Sequence, residues 1–362
     1  RRMPRPRSLA QLVAAATQQA PREAAVECHL EVLARLGPQI RLTQALAASS
    51  DGARTLRMLV AGVSSQMEAI SPLLESSLDQ YHRELASIEA RYAMMISTVV
   101  DFLRDLDDDH NNDDDSSDGD SLAALEGLIE SHVGAALLLR HQLQAHAGHL
   151  ENLPEATKRR RPPSLLGVVD VDFKLKDAVL HCARDAAMLA FADDDIVELK
   201  GFDDHAVVAV PHHTSHALLE LLKNAVHSQV AAGTQCEDEA VVVEWTGQSL
   251  VVRDRGVGLD GGRGAFADLA RLTPGRRYDR VEEQTSYAMV PHPLGGIKVG
   301  LFVATVHANH FRRRHDDAEN YLVVDSPGAG FGAVADLRLP NDLDATERLP
   351  DLEPLIARLS SP

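Results

Sequence analysis

Three cysteines are all that the 362 residues contain, at Cys28, Cys182 and Cys236. They are far apart, odd in number and form no CxxC pair. That excludes a disulfide framework and a structural zinc site, and points to a reducing compartment. Aromatic residues are also few, 4% of the chain with a single tryptophan. Ala and Leu are abundant instead, which favours helix. Positive charge is outnumbered, with 36 Lys and Arg against 54 Asp and Glu, a net charge of −18. A surface of that sign repels a phosphate backbone and argues against nucleic-acid binding. No apolar run reaches the length of a bilayer, so no membrane span is expected. No GxxxxGKS/T occurs, so any phosphate site is not a Walker P-loop.

What is present is ordinary for a soluble globular chain: 44% apolar and 25% charged residues, and a length that usually makes two domains. The start, residues 1–7, is basic and free of acids; it reads either as the remnant of an organelle-targeting presequence or as a loose basic terminus. Residues 8–160 carry apolar positions at helical spacing, for example Val26, Leu30 and Leu33, then Met67, Ile70 and Leu74, and predict a helical bundle. Pro21, Pro38 and Pro72 are expected at helix ends or first turns. The aspartate-rich stretch 105–120 is expected to be a loop between helices. The basic, proline-ended run 158–163 is expected to be a linker.

After residue 165 the texture changes. Helical patterns at 175–191 and 214–230 alternate with β-rich runs at 207–210, 240–245, 249–253, 321–324 and 333–339, and residues 294–311 hold a glycine turn running into a helix. The order predicts an α+β fold: an N-terminal helical bundle, then an α/β sandwich over 166–340 with helices on one face of a mixed sheet, and a tail over 341–362.

Four segments of the second half carry chemistry. His216, Glu220 and Asn224 stand four residues apart, on one face of a helix. Such a stripe is either a solvent-facing edge or, with an acid and an amide oxygen together, a place for Mg²⁺ carrying phosphates. Asp254-Arg255-Gly256-Val257-Gly258 follows a strand and offers a strand-end carboxylate that can accept an adenine amine. Gly295-Gly296-Ile297-Lys298-Val299-Gly300-Leu301 opens a helix, where backbone N–H groups can hold phosphate. Gly328-Ala329-Gly330-Phe331-Gly332 precedes the last strand.

Each segment alone is weak; the four in this order are specific. The order resembles the GHKL ATP-binding (Bergerat) fold shared by gyrase and histidine kinases. Within it, His216-x-x-x-Glu220-x-x-Lys223-Asn224, the DRGVG turn and the segment from Gly300-Leu301 to Phe311 are similar to the mitochondrial pyruvate dehydrogenase kinases and branched-chain α-keto acid dehydrogenase kinase. That family also places a helical bundle before its ATP-binding domain. The resemblance implies an ATP- and Mg²⁺-dependent serine kinase of the mitochondrial matrix, a homodimer that phosphorylates the E1 component of an α-keto acid dehydrogenase complex and docks on its lipoyl-bearing E2. It implies Glu220 as general base or as the group that orients the substrate serine, His216 hydrogen-bonded to it, and Lys223 near phosphate or structural. Asn224 would hold the metal and Asp254 would read adenine. Gly256, Gly258, Gly296, Lys298, Gly300, Leu301, Gly328 and Gly330 would line the nucleotide site.

This chain departs from the family pattern at four positions. His227 stands where Arg is usual, Lys298 where a glycine is, Phe302 where Pro is and Phe331 where a phosphate-binding threonine is. The alternatives are therefore a non-catalytic binding module of the same fold and a histidine kinase. The second lacks a phospho-accepting histidine with the expected acid and proline after it.

Overall fold

The structure is a computed structural model. It describes residues 3–46, 51–108, 118–147, 162–202, 206–233, 240–259, 271–272, 299–313 and 320–360.

The first half is helical as expected: α1 (Leu9–Thr17), α2 (Pro21–Leu46), α3 (Asp51–Ile70), α4 (Leu73–Ser76), α5 (Leu78–Tyr92), α6 (Met95–Asp108) and α7 (Asp118–Ala147). Ser8 caps α1 in a capping box with Gln11, which satisfies two N–H groups the first turn would otherwise leave open. Pro21 opens α2 and Pro72 precedes α4, but Pro38 lies inside α2. An internal proline costs about 3 kcal/mol; here Leu36, Gln39 and Leu42 on either side are fully buried, and packing outweighs the break. The acidic stretch is shorter than the sequence implies, since α6 runs to Asp108 and α7 begins at Asp118.

Among the described residues one helical stretch, Gly119–Ala147, is long and apolar enough to cross a membrane by length and composition alone, and 72% of its apolar window is buried inside the protein. It contributes Leu125, Leu128, Ile129, Leu137 and Leu138 to the bundle core, so packing accounts for its apolarity.

The second half adds β1 (Leu165–Leu166), β2 (Val169–Lys174), α8 (Leu175–Ala190), β3 (Val197–Lys200), β4 (Ala206–Ala209), α9 (Pro211–Ala231), β5 (Val241–Trp245), β6 (Ser249–Arg253), α10 (Val299–Asn309), β7 (Phe311–Arg312), β8 (Leu322–Asp325), β9 (Val334–Arg338), β10 (Thr346–Glu347) and α11 (Glu353–Leu359). The fold is α+β, with an N-terminal helical region and a C-terminal mixed sheet. The main sheet has the order β3-β5-β6-β9-β8, parallel only at β3–β5. The expected hairpin is β5–β6, with Trp245 opposite Leu250. Alternation along β5 sends Val241, Val243 and Trp245 to one face, where α8 (Val179, Ala183, Ala186) and α9 (Leu218, Leu221, Leu222, Ala225) cover them. This is the period-2 pattern of a sheet covered on one side.

Helix α10 joins the two halves. Its Val299, Phe302, Val303 and Val306 belong to the bundle core, while Ala304 and Ala308 belong to the core under the sheet. A helix apolar on every side is one buried on every side. Phe302 is thereby a core residue of the bundle.

Residues 5–9 and 345–347 are built into this junction. Residues from Arg5 are not a loose basic tail: the Arg5 N–H donates to Glu31 (2.7 Å), Arg7 and Glu347 exchange backbone and side-chain bonds, and the Leu9 N–H donates to the Ala345 carbonyl. The stretch after 340 is likewise part of the fold, with β10 paired to β7 and Ala345 and Glu347 buried. Arg35 of α2 sits at the centre. It binds Glu347 (2.7 and 3.2 Å), Glu31 (3.3 Å) and the Arg5 carbonyl (3.2 Å) with almost no solvent contact.

Candidate functional site

The polar stripe of α9 is not a solvent-facing edge. Glu220 is 3% exposed, His216 is half-buried, and Asn224, one turn on, is exposed. The line runs from the interior to the surface because α9 packs on α8 and the sheet through Leu218, Leu221, Leu222 and Ala225, which turns its polar side towards α10. A carboxylate buried this deeply is costly unless paired. Lys223 pairs it: Nζ lies 2.6 Å from Glu220 Oε2, and both side chains are buried. The contact lacks hydrogen-bond angles, so charge holds it.

Gly300, in the first turn of α10, lies directly on the Glu220 carboxylate. A Cβ added at Gly300 would fall on Oε2. Only glycine permits this approach, and it sets the carboxylate against the positive end of an 11-residue helix, where a negative charge is favoured. Leu301 follows, half-buried. His216 is held otherwise than the sequence implies. Its Nε2 has no hydrogen-bond partner; the ring instead faces His307 of α10, with centroids 4.6 Å apart. Burial keeps its imidazole below the usual range, with Glu220 opposing and Lys223 reinforcing the drop.

The Asp254 turn lies at the other end of α9. Asp254 follows β6, and its Oδ1 accepts from the Gly256 N–H (2.9 Å) and the Ser228 hydroxyl (3.1 Å). Burial pushes its carboxyl up, and those two bonds pull it back. Ser228 and Gln229 of α9 clasp the turn further: the Arg255 N–H donates to Gln229 (2.9 Å) and the Val257 N–H to the Ser228 carbonyl (3.3 Å). Gly258, at φ 70°, packs on the Gly328 carbonyl, so the DRGVG turn and the 328–332 turn touch. The Gly330 N–H donates to the Val257 carbonyl (2.6 Å) and the Gly332 N–H to that of Gly256 (3.1 Å). Ser326, fully buried, ties both turns by accepting from the N–H groups of Leu259 and Gly328 and donating to the Gly332 carbonyl.

The structure therefore brings together Glu220, Lys223 and Gly300 as one group, and Asp254, Gly256, Gly258, Gly328 and Gly330 as another, with α9 and Asn224 between them. Phe331, 74% exposed, fills neither group. His227 is exposed on α9. Gly296 and Lys298 lie outside the described residues.

Neither protein-family models nor curated proteins give a match to this chain.

The sequence reading missed Ser228, Gln229 and Ser326, and His307 of α10 with His310 after it. Ser228 stands four residues after Asn224, so the same helical spacing that picked out the stripe points to it. Nothing in the sequence marks Ser326 or His307.

The arrangement fits the group the resemblance calls for. A half-buried carboxylate fixed at the end of a strand suits an exocyclic amine donor. A lone exposed amide suits Mg²⁺, which keeps waters and phosphate oxygens as its other ligands. Among the described residues, no group of three or more His, Cys, Asp or Glu could hold a metal ion, so any metal here would depend on a ligand for most of its coordination.

Proposed function

We propose that the chain is an ATP-dependent serine protein kinase with a GHKL-type domain, resembling the kinases that inactivate the E1 component of a mitochondrial α-keto acid dehydrogenase complex. The observation that carries this reading is the buried Glu220–Lys223 pair under Gly300, on the same helix as Asn224 and as the Ser228 clasp on Asp254. One helix thus organises a candidate base, a candidate metal ligand and a candidate base-reading carboxylate.

In this reading Asp254 accepts the adenine amine, its orientation fixed by Ser228 and the Gly256 N–H. The paired glycine turns shape the wall beside it. Asn224 offers its amide oxygen to Mg²⁺. Bound MgATP supplies the transferable phosphoryl group. Glu220 orients the substrate serine hydroxyl and takes its proton, while Lys223 balances the carboxylate until then. Phosphoryl transfer asks mainly for positioning and charge neutralisation, and fixed groups of this kind supply both. The helical bundle would dock on lipoyl-bearing E2, and the chain would act as a homodimer in the mitochondrial matrix; both follow from the resemblance.

A scaffold of the same fold is the second reading, favoured by Phe331 at the last turn. Calorimetry with MgATP, followed by transfer of labelled phosphate to purified E1, separates them. The kinase reading expects binding and transfer. Binding without transfer supports the scaffold, and no binding at millimolar MgATP refutes a nucleotide site.

A further inference from the structure

Five histidines gather where α9 meets α10, a cluster the proposed chemistry does not use beyond His216. His212, His213 and His216 come from the first turns of α9, His307 from the end of α10, and His310 from the turn after it. His307 is the hub. Its ring centroid lies 4.6 Å from His213, 4.6 Å from His216 and 5.5 Å from His212. His213 lies 5.1 Å from His310, and His310 Nε2 lies 3.4 Å from Glu347. A continuous row of rings thus runs from the Arg35–Glu347 junction to the turn before Glu220.

The row is dry. His213, His307 and His310 are buried, and His213 Nδ1, His307 Nδ1 and His216 Nε2 have no hydrogen-bond partner. A cavity of about 20 Å³, bounded by His213, Thr214, His307, Ala308, Phe311 and Pro340, is no larger than about one water. An imidazole that packs on another without hydrogen bonds acts there through shape and desolvation.

The geometry points to His307 as a positioning residue of the Glu220 site: it shuts water from the buried Nε2 side of the His216 ring, one turn from the carboxylate, so that Lys223 remains the cation paired with Glu220. A hydrated His216 would take up a proton near neutral pH and would set a second cation beside Glu220, drawing down its basicity. Most of the charged and titratable groups around His307 act in one direction. His212, His213, His216 and Lys223 on α9, His310 after α10 and Arg140 on α7 are all potential cations; the acids that oppose them are Glu220, beside His216, and Glu347, beside His310. Burial and the neighbouring imidazoles hold His213 and His307 well below the usual imidazole range.

The inference rests on the proposed role of Glu220, and its test has an arm that does not. The full-length chain is labelled with [¹³C]histidine, and the His216 ring signal, assigned with His216→Gln, is followed against pH without nucleotide. In the parent protein His216 should stay neutral below the ordinary imidazole midpoint of about 6.5. In His307→Ala, water reaches the ring, and the midpoint should rise by about half a pH unit or more. In His307→Phe, a ring of similar breadth keeps water out, and the parent titration should return. If the alanine variant does not fold, His307→Gln, which lacks the ring, should show the same rise. An unchanged His216 midpoint in the ringless variant, or a parent His216 already charged near 6.5, overturns the inference. In the second arm, phosphate transfer by the ringless variant should fall about tenfold in kcat with KM for MgATP unchanged, and the Phe variant should recover it. A shifted midpoint with undiminished kcat refutes the link to Glu220. Absence of transfer by the parent refutes the proposed function, and the titration still decides whether His307 shields His216.

Discussion

Arg35→Met tests the junction that ties the two halves together. Arg35 is enclosed with Glu31 and Glu347, and its guanidinium also holds the Arg5 carbonyl. Two pieces of physics give the size of the effect. Burial pushes the Glu347 carboxyl up, but Arg35, first by its charge, and His310 together hold it down from 4.5 to about 2. At about 1.4 kcal/mol per pH unit this is worth about 3 kcal/mol. Removing one partner of a buried pair and stranding the other costs about 3–5 kcal/mol. Both place the loss at pH 7 at about 3 kcal/mol or more. The sign follows from the depressed carboxyl: in the parent the contribution is complete above 4.5 and fades as pH falls towards 2. In Arg35→Met it is absent at every pH. Urea unfolding followed by two probes is the assay. Helical circular dichroism reports largely on the bundle, and the single tryptophan, Trp245 on β5, reports on the sheet. The variant should unfold at lower urea, with the two signals parting. Adding Glu347→Gln removes the stranded charge while leaving an acceptor for the Arg7 N–H, and should recover most of the loss. A cost below about 1 kcal/mol in Arg35→Met would mean that the junction is solvated and that this reasoning is wrong.

Three further outcomes are expected. Glu220→Gln should abolish phosphate transfer while leaving MgATP binding by calorimetry intact, and Asn224→Ala should weaken the Mg²⁺-dependent part of that binding; parent behaviour in both variants would refute the site. Gly300→Ala should destabilise by about 1–3 kcal/mol through overpacking on Glu220, less up to about 1 kcal/mol of helix propensity; in a Glu220→Ala background the collision is gone, so the same change should stabilise, and a denaturation cycle in which the two effects simply add would refute the contact. His132, buried with its imidazole pushed down to about 3 by desolvation, stays neutral in the fold while the unfolded chain protonates below about 6.5. Its contribution is therefore complete above 6.5 and is lost as pH falls, by about 2 kcal/mol between pH 6.5 and 5.0. His132→Gln should flatten the urea midpoint over that range by this amount, and an unflattened profile would count against it.

Much of the fold was legible because it rests on local patterning. The alternation Val241, Val243, Trp245 and the turn 246–248 specify the β5–β6 hairpin. The 3.6 period of the first 150 residues specifies helices, and a strand end followed by DRGVG specifies the turn around Asp254. Strands β1, β2 and β3 escaped: β1 is only two residues long, and β2 and β3 are held by β4 and β5, partners some way on in sequence. Pro38 was misread because a local penalty of about 3 kcal/mol yields to burial on both sides.

The sequence by itself determined the chemistry of α9: which turn carries His216, which Glu220, which Asn224, and that Asp254 closes a strand. Whether that stripe faced water or the interior was left open, because helical spacing fixes relative direction and not what lies opposite. Only the tertiary structure decided it. It laid Gly300 on the Glu220 carboxylate, turned Lys223 onto Glu220, and set His307, nearly a hundred residues on, against His216. It also brought residues 5–9 and 345–347 into one buried junction around Arg35. The reason is common to all of these: burial and charge pairing are set by neighbours that are remote in sequence, and no local pattern encodes them.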